Sequence, residues 1–342
     1  MKPLRFMSVA APCVALAVGA VACGGQQPGG GSGGGGGGGQ SQQGSGTDFS
    51  QLSGTIRIDG SSTVQPFAEA AVELFSAEAP NVNVSVGGAG TGDGFERFCR
   101  GETQISDASR PIEAEEVEAC EAENIEPVEL PVAQDALSIV TNPETMIPQD
   151  CINFDQLNEL LAPDATVSNL SELGQGFPDQ EVSLFTPGTE SGTFDYFTEV
   201  VLETDAEQRT EGVQTSADDN QLVTGVSGTP GGLGYFGFSF ADQNRDKLKI
   251  LQVAEGDSNQ CVAPSIETVQ SNQYPLSRPL LMYPSREALQ KPEVKGFLTF
   301  VAENYQRIAE AANIVPMSQQ TAQQTTQIVK TGQGGEPKPE TQ

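Results

Sequence analysis

Apolar positions along the chain follow two spacings, one typical of strands and one typical of helices. Short apolar runs predict strands at 55–59, 82–86, 136–140 and 182–185. Between them, apolar residues three and four positions apart predict amphipathic helices, whose apolar positions are Phe67, Ala71, Leu74 and Phe75, then Phe95 and Phe98, and later Phe194, Phe197, Val200 and Val201. Strands that alternate with helices predict an α/β fold with mainly parallel sheets.

The two ends of the chain differ in composition from the middle. Lys2 and Arg5 precede an apolar stretch, which predicts a secretory signal peptide over residues 1–22. The signal ends in Ala-Val-Ala-Cys, which resembles a bacterial lipobox, so Cys23 is expected to carry lipid; the alternative is an ordinary signal peptide with a spare cysteine. Residues 23–50, rich in Gly, Gln and Ser, are expected to form a flexible tether. The polar residues 332–342 are expected to form a loose tail.

Charge and composition exclude several classes of function. The chain has 46 acidic and 17 basic residues, a formal net charge of -29, and no histidine. Nucleic acids are held mainly by clustered Lys and Arg, so we expect no nucleic-acid partner. The absence of histidine excludes Ser-His-Asp and Cys-His catalysis and histidine metal sites. No cysteine lies in a CxxC spacing, so we expect no metal.

Cysteine number suggests disulfides. If Cys13 leaves with the signal and Cys23 is lipidated, an even number of cysteines remains, and in an exported chain this predicts two disulfides. The remaining residues are Cys99, Cys120, Cys151 and Cys261.

Three segments share one pattern, in which a strand is followed by small hydroxyl and glycine residues and then by a helix. They are 59–64 (DGSSTV), 87–94 (GGAGTGDG) and 189–193 (TESGT). A helix N-terminus offers free N–H groups to an anion, and Ser and Thr add hydroxyl donors. In open α/β sheets, ligands bind at the carboxyl ends of strands, where these segments should lie. Any one of them alone is better explained by ordinary helix capping, and none is a P-loop, because no Gly-Lys-Ser/Thr follows.

Together with 105–112 (ISDASRPI), 187–194 (PGTESGTF) and 232–237 (GLGYFG), these segments resemble the phosphate-specific periplasmic binding proteins of the PstS type. The resemblance spans most of residues 54–315. It implies a two-lobed, type II-like α/β fold with the ligand cleft between lobes that are joined by a two-segment hinge. Lobe 1 is expected at 51–134 plus 277–331 and lobe 2 at 135–276, with crossings near 131–136 and 274–280.

The resemblance also implies a function. The chain is expected to be a monomer outside the cytoplasm, lipid-anchored to the cell membrane in the periplasm or at the cell surface. There it would capture inorganic phosphate for the permease of an ABC importer, without a cofactor and without catalysis. The alternatives are the same fold with another oxyanion (sulfate, molybdate or tungstate), a surface phosphohydrolase, and a surface adhesin or scaffold.

Phosphate-binding positions follow from the matched motifs, residue by residue. The resemblance implies contacts from Thr63 and the Val64 N–H, with Ser62 as a neighbour of these contacts, from Thr91, and from Ser191, Gly192 and Thr193 in the second lobe. We also expect Ser109 and Arg110 to belong to the phosphate-binding residues.

Two departures from the family pattern concern charge. Pro187 stands where the best-known members have an arginine, and Ser109 stands where they have the aspartate that accepts the proton of phosphate. We expect Arg110 to supply the missing positive charge; the alternative is a surface ion pair with Glu113 or Glu115. Asp107 or Glu190 is expected to accept the proton.

The two-lobed fold implied by the resemblance also implies a disulfide pairing. Lobes that rotate against each other should not be stapled together. We therefore expect the pairs Cys99–Cys120 in the first lobe and Cys151–Cys261 in the second.

Overall fold

A computed structural model describes residues 48–189, 191–204, 206–256 and 260–337. The expected signal peptide, Cys23, the tether up to residue 47, Glu190 and residues 338–342 lie outside the described residues. The strands are β1 (Gly54–Gly60), β2 (Val82–Val86), β3 (Ile105–Ala108), β4 (Leu130–Thr141), β5 (Cys151–Asn153), β6 (Ser183–Thr186), β7 (Val213–Thr215), β8 (Gly232–Gly237), β9 (Lys249–Ile250), β10 (Gln252–Ala254), β11 (Ser277–Pro284) and β12 (Val315–Pro316). The helices are α1 (Gln65–Ser76), α2 (Thr91–Cys99), α3 (Ala114–Ala122), α4 (Phe154–Leu161), α5 (Gly192–Val200), α6 (Asp219–Gly228), α7 (Phe238–Gln243), α8 (Ile266–Gln270), α9 (Pro292–Ala311) and α10 (Gln319–Thr331).

One long sheet runs through the molecule in the order β2-β1-β3-β11-β4-β8-β6-β7, with β9 and β12 also paired to β4. The strands at each end of this order, β2-β1-β3 and β8-β6-β7, are parallel, as predicted. The central strands β11 and β4 are antiparallel to each other and to their outer neighbours. The expectation of mainly parallel sheets is therefore wrong at the centre of the sheet. There β4 and β11 cross between the two halves of the folded part in opposite directions.

Two main hydrophobic cores flank this central pair of strands. The first contains residues of β1, α1, β11, α9 and α10, and the second contains residues of β4, α4, β6, α5 and β8. We call these two parts the first lobe and the second lobe. Along β4 the chain leaves the first core at Ala133 and joins the second at Ala136, and along β11 it leaves the second core after Leu276 and rejoins the first at Leu280.

Both ends of the folded part are more ordered than expected. Phe49 is buried and its ring packs against Phe75 and Phe300, so the folded body already begins before the predicted end of the tether. In the tail, the Gly335 carbonyl accepts a hydrogen bond of 2.7 Å from the Glu129 N–H, so residues 332–335 are not loose. Among the described residues, none of the helices has the length and apolar character needed to cross a bilayer.

Most of the strands and helices predicted from local sequence patterns agree with the observed elements. The predicted strands at 55–59, 82–86 and 182–185 correspond to β1, β2 and β6, and the three predicted helices correspond to α1, α2 and α5. The strand predicted at 136–140 is only the second half of β4, which spans twelve residues. Its first half pairs with β11 in the first lobe, a partner far away in sequence.

Candidate anion-binding site

The carboxyl ends of β1, β2 and β3 meet one side of α5 around a cavity of about 470 Å³. Three turns of the first lobe form one wall, the helix α5 forms the opposite wall, and the start of β11 forms the floor. The lining residues are Ser61, Ser62, Thr63, Gly90, Thr91, Gly92, Ser109, Arg110, Pro111, Asp195, Tyr196, Glu199, Val200, Pro275, Ser277, Arg278 and Pro279.

The turn after β1 presents hydroxyl groups, and the N–H groups of Thr63 and Val64 are bonded within the turn. The Ser61 Oγ accepts a hydrogen bond from the Thr63 N–H at 3.2 Å, and the Ser61 carbonyl accepts one from the Val64 N–H at 3.1 Å. Ser62 and Thr63 line the cavity as expected, whereas Val64 is fully buried in the first core and does not line it. The expected contact from the Val64 N–H is therefore not available in this arrangement.

The glycine turn after β2 leads directly into the N-terminus of α2. Gly90 is the residue before this helix, with a φ of 107° that favours glycine, and it provides no side chain to cap the first turn. The first N–H to bond within the helix is that of Gly94, which donates to the Gly90 carbonyl at 2.9 Å. The N–H groups of the first turn therefore remain available to an anion, together with the positive end of the helix dipole.

Asp59 holds this glycine turn against β1. Its carboxylate accepts hydrogen bonds from the N–H groups of Gly60 and Ala89, at 2.9 and 3.2 Å, and forms an ion pair with Arg97 of α2. The position of the α2 N-terminus thus depends on a carboxylate that is not among the residues lining the cavity.

Thr91 and Ser109 join the second and third turns. Their hydroxyl oxygens lie 3.3 Å apart, and the Ser109 N–H donates to the Thr91 Oγ1 at 3.3 Å. Both residues line the cavity, as expected.

Arg278 of β11 supplies a positive charge that the sequence reasoning missed. Its Nε donates to the Asp135 Oδ2 at 3.2 Å and its Nη2 donates to the Thr63 Oγ1 at 2.8 Å. The guanidinium stacks 4.0 Å from the ring centre of Tyr196, and only 10% of the side chain is exposed. A signal was available, since Arg278 is the only basic residue in the two segments where the crossings were expected.

Arg110 lines the same cavity, but its charge is already paired. Its Nη1 and Nη2 donate to the two carboxylate oxygens of Glu116, each at 2.9 Å, and its Nε lies 3.2 Å from Glu113. The hydrogen bonds to Glu116, more than any other influence, raise the pKa of Arg110. The ion-pair alternative is therefore observed, with Glu113 and with Glu116 rather than Glu115 as partners, and the supply of charge to an anion by Arg110 stays a prediction.

The turn before α5 contacts the first lobe without lining the cavity. The Ser191 Oγ caps the helix by accepting from the Thr193 N–H at 3.2 Å. A Cβ on Gly192 would lie only 2.6 Å from the Thr63 Oγ1, so the close approach of the lobes requires glycine here. Ser191, Gly192 and Thr193, which were expected to bind the anion, are not among the residues that line the cavity, and α5 contributes Asp195, Tyr196, Glu199 and Val200 instead.

One of the two expected proton acceptors, Asp107, does not line the cavity. Glu190 lies outside the described residues. Asp107 is fully buried, neither of its carboxylate oxygens has a hydrogen-bond partner, and it does not line the cavity. Burial, with a smaller effect of the Asp59 charge, raises the pKa of Asp107 well above its usual range.

Two other carboxyl groups do line the cavity, Asp195 and Glu199 of α5. Burial raises the pKa of Asp195, the nearby Arg278 opposes this shift, and Glu199 adds to it. Their spacing of four residues places them on one face of the predicted helix, which is the sequence signal that could have identified them.

The four cysteines of the folded part form the expected pairs, Cys99–Cys120 and Cys151–Cys261. The first disulfide joins α2, which points its N-terminus at the cavity, to α3, which carries Glu116. In the described part of the chain, no cluster of three or more Cys, Asp or Glu side chains is arranged to hold a metal ion.

This chain is similar to known proteins both in sequence and in structure. The model of the PBP superfamily domain matches residues 41–304. Protein SphX of Synechococcus elongatus is 40% identical to this chain over 82% of the chain and 82% of its own length. The phosphate-binding protein PstS of Staphylococcus haemolyticus is 33% identical over 79% of the chain and 83% of its own length. A crystal structure from Planctomyces limnophilus, described as a possible phosphate-binding protein, superposes with a TM-score of 0.77 at 38% identity, covering 82% of this chain and 99% of that one.

Proposed function

Because the chain belongs to the PBP superfamily and, within it, to the PstS- and SphX-type proteins, we propose that it captures inorganic phosphate outside the cytoplasm and delivers it to the permease of an ABC importer. It acts as a substrate-binding protein and not as an enzyme. The observation that carries the proposal is the cavity in which Arg278, the α2 N-terminus and several hydroxyl groups converge.

The donors around this cavity suit a tetrahedral oxyanion. Arginine has five N–H donors, and the Nη1 pair of Arg278 has no protein partner among the described residues. The hydroxyls of Ser62, Thr63 and Thr91 and the first-turn N–H groups of α2 add donors from the first-lobe wall. Hydrogen bonds to charged groups contribute about 1.5–3 kcal/mol each. Several of them reach the roughly -8 kcal/mol that corresponds to micromolar binding.

The carboxyl groups of Asp195 and Glu199 give this site a means of selecting phosphate. Either group, when ionised, accepts a hydrogen bond from the protonated oxygen of phosphate, whereas sulfate carries no proton at neutral pH and meets an unpaired negative charge. We therefore assign to these two residues the proton-accepting role first expected of Asp107 or Glu190. Removing the carboxylates should reduce the discrimination against sulfate.

Calorimetric titration of the purified protein with phosphate, sulfate, molybdate and tungstate tests the proposal. We expect phosphate to bind tightly and sulfate weakly, and we expect Asp195→Asn together with Glu199→Gln to narrow that difference. Asp155→Asn, at an exposed position on α4, is the matched control. Tighter binding of another oxyanion would favour the alternative of a different transported anion. Absence of binding to all of them would favour a surface protein outside transport.

The location and domain boundaries are also proposals. The protein is held at the cell membrane by lipid on Cys23, acts as a monomer, and has lobes at 51–134 plus 277–331 and at 135–276. The change of core along β4 and β11 supports these lobe boundaries. Cys23→Ala should release the protein into the soluble fraction and leave phosphate binding unchanged. Retention of the variant in the membrane fraction would argue against the lipid.

A further inference from the structure

The loop after β3, residues 109–112, contributes three residues to the cavity wall and is held at its far end by a buried tyrosine. The Tyr283 hydroxyl oxygen accepts a hydrogen bond from the Ile112 N–H at 3.2 Å. The same hydroxyl donates to the Glu129 Oε2 at 2.8 Å. Neither Ile112 nor Tyr283 is exposed to solvent. One hydroxyl of β11 therefore joins the end of the cavity loop to a carboxylate that lies just before β4.

Packing fixes both sides of this chain of hydrogen bonds. The Tyr283 ring lies against the ring of Phe95, with 5.0 Å between their centres, in a small hydrophobic cluster formed mainly by residues of α2, α3 and β11. Glu129 is held through its backbone, because its N–H donates to the Gly335 carbonyl at 2.7 Å. In the described part of the chain, the Ile112 N–H has no second acceptor. Loss of the Tyr283 hydroxyl would therefore leave a buried N–H group unsatisfied, which is costly.

The other end of the loop contacts a hydroxyl that lines the cavity. The Ser109 N–H donates to the Thr91 Oγ1 at 3.3 Å. A hydroxyl oxygen that accepts from the backbone is held in place, and its own O–H can still turn towards an anion. A shift of the loop would therefore change the position from which Thr91 donates.

We propose that Tyr283 is a positioning residue of the anion site, which acts through the loop 109–112 and its Ser109 N–H on Thr91, with Glu129 as its acceptor. Tyr283 is not among the residues that line the cavity, so its effect on an anion is indirect. The inference rests on the proposed function for its effect on phosphate affinity, and on contacts within the protein for its effect on the loop.

Isothermal titration calorimetry with phosphate, with and without Thr91→Val, tests this route. Tyr283→Phe keeps the ring and removes the hydroxyl, and it should weaken binding about five- to tenfold, no more than removal of the Thr91 hydroxyl itself. In the Thr91→Val background the same change should weaken binding by less than about twofold, because the group through which Tyr283 acts is already absent. Tyr305→Phe, on α9 and not among the cavity-lining residues, is the matched control and should bind like wild type.

Two variants of Glu129 separate its hydrogen bond from its charge. Glu129→Gln keeps an oxygen that can accept from Tyr283, so its affinity should stay within about twofold of wild type. Glu129→Leu removes the acceptor and should lose as much affinity as Tyr283→Phe. Equal losses in both Glu129 variants would overturn the proposed role, and so would an equal loss from Tyr283→Phe with and without the Thr91 hydroxyl.

Hydrogen–deuterium exchange of the protein dialysed free of phosphate distinguishes failure of this inference from failure of the proposed function. Tyr283→Phe should speed exchange of the Ser109 and Ile112 N–H groups and leave exchange in α4 of the second lobe unchanged. If exchange in 109–112 does not change, Tyr283 does not hold the loop, whatever the affinity for phosphate. If it rises while the wild type binds no phosphate, the loop is held as proposed and the proposed ligand is wrong. If circular dichroism shows that Tyr283→Phe does not fold, the two Glu129 variants decide the question by the same exchange measurement.

Discussion

Two arginines line the cavity, and replacing each in turn by glutamine decides which of them supplies charge to the anion. Arg278 has an Nη1 group without a protein partner among the described residues, whereas every nitrogen of the Arg110 guanidinium lies within 3.2 Å of a carboxylate or carbonyl oxygen. Removing Arg278 therefore removes donors to the ligand, and removing Arg110 removes an ion pair with Glu113 and Glu116.

The expected magnitudes differ enough to be distinguished easily. Loss of two hydrogen bonds to an ion, at about 1.5–3 kcal/mol each, costs about 3–6 kcal/mol of binding free energy. This corresponds to a loss of affinity of about a hundredfold to ten-thousandfold for Arg278→Gln. The ion pairs of Arg110 are partly exposed, so breaking them costs at most about 1 kcal/mol of free energy. Even if all of this appeared in binding, Arg110→Gln would lower the affinity for phosphate by roughly fivefold at most.

Isothermal titration calorimetry with phosphate at one fixed ionic strength measures both variants against the wild type. Arg278→Lys should fall between wild type and Arg278→Gln, because lysine restores the charge without the planar fork. If Arg110→Gln loses more affinity than Arg278→Gln, the assignment of charge is wrong and the first expectation, drawn from sequence, is right.

Three further predictions concern single features of the structure. Thr91→Val should weaken phosphate binding about tenfold by removing one hydroxyl donor, with exposed Thr166→Val as the unaffected control in the same titration. The pKa of Asp107 is raised in the folded state, so its contribution to stability is present at acid pH and is lost as the pH rises from the unfolded pKa through the folded pKa. The free energy of unfolding of Asp107→Asn, measured with urea and compared with that of the wild type, should therefore increase between pH 4 and pH 8. A difference between the two proteins that is constant with pH would refute this. Replacing Cys151 and Cys261 by alanine should cost about 1.5 kcal/mol more than replacing Cys99 and Cys120, because the sequence separations are 110 and 21; equal losses in urea unfolding would contradict the loop-entropy argument.

Local sequence patterns predicted the parts of the site that depend on single strand ends. The turns at 59–64 and 87–94 and Ser109 lie at the cavity because each follows a parallel strand of the first lobe, and the carboxyl ends of such strands meet at one edge. The α/β fold was predictable for the same reason, since strand and helix spacing are local properties.

The parts that were missed depend on contacts between distant segments. Arg278 meets Thr63 across 215 positions of sequence and Asp135 across 143, and no local pattern encodes the register that brings them together. The antiparallel pairing of β4 with β11 and the burial of Asp107 beneath the turn are likewise set by the packing of the lobes. Arg110 was chosen because it lies beside Ser109, and local sequence could not show that Glu116 would neutralise it.

A crystal structure of the protein grown with phosphate tests the central claim most directly. We predict one tetrahedral anion in the cavity, within hydrogen-bond distance of the Arg278 Nη1, the hydroxyls of Thr63 and Thr91 and the first-turn N–H groups of α2, with a carboxyl of Asp195 or Glu199 facing one phosphate oxygen. An anion bound to Arg110 and remote from Arg278, or a cavity without any anion at saturating phosphate, would contradict the account.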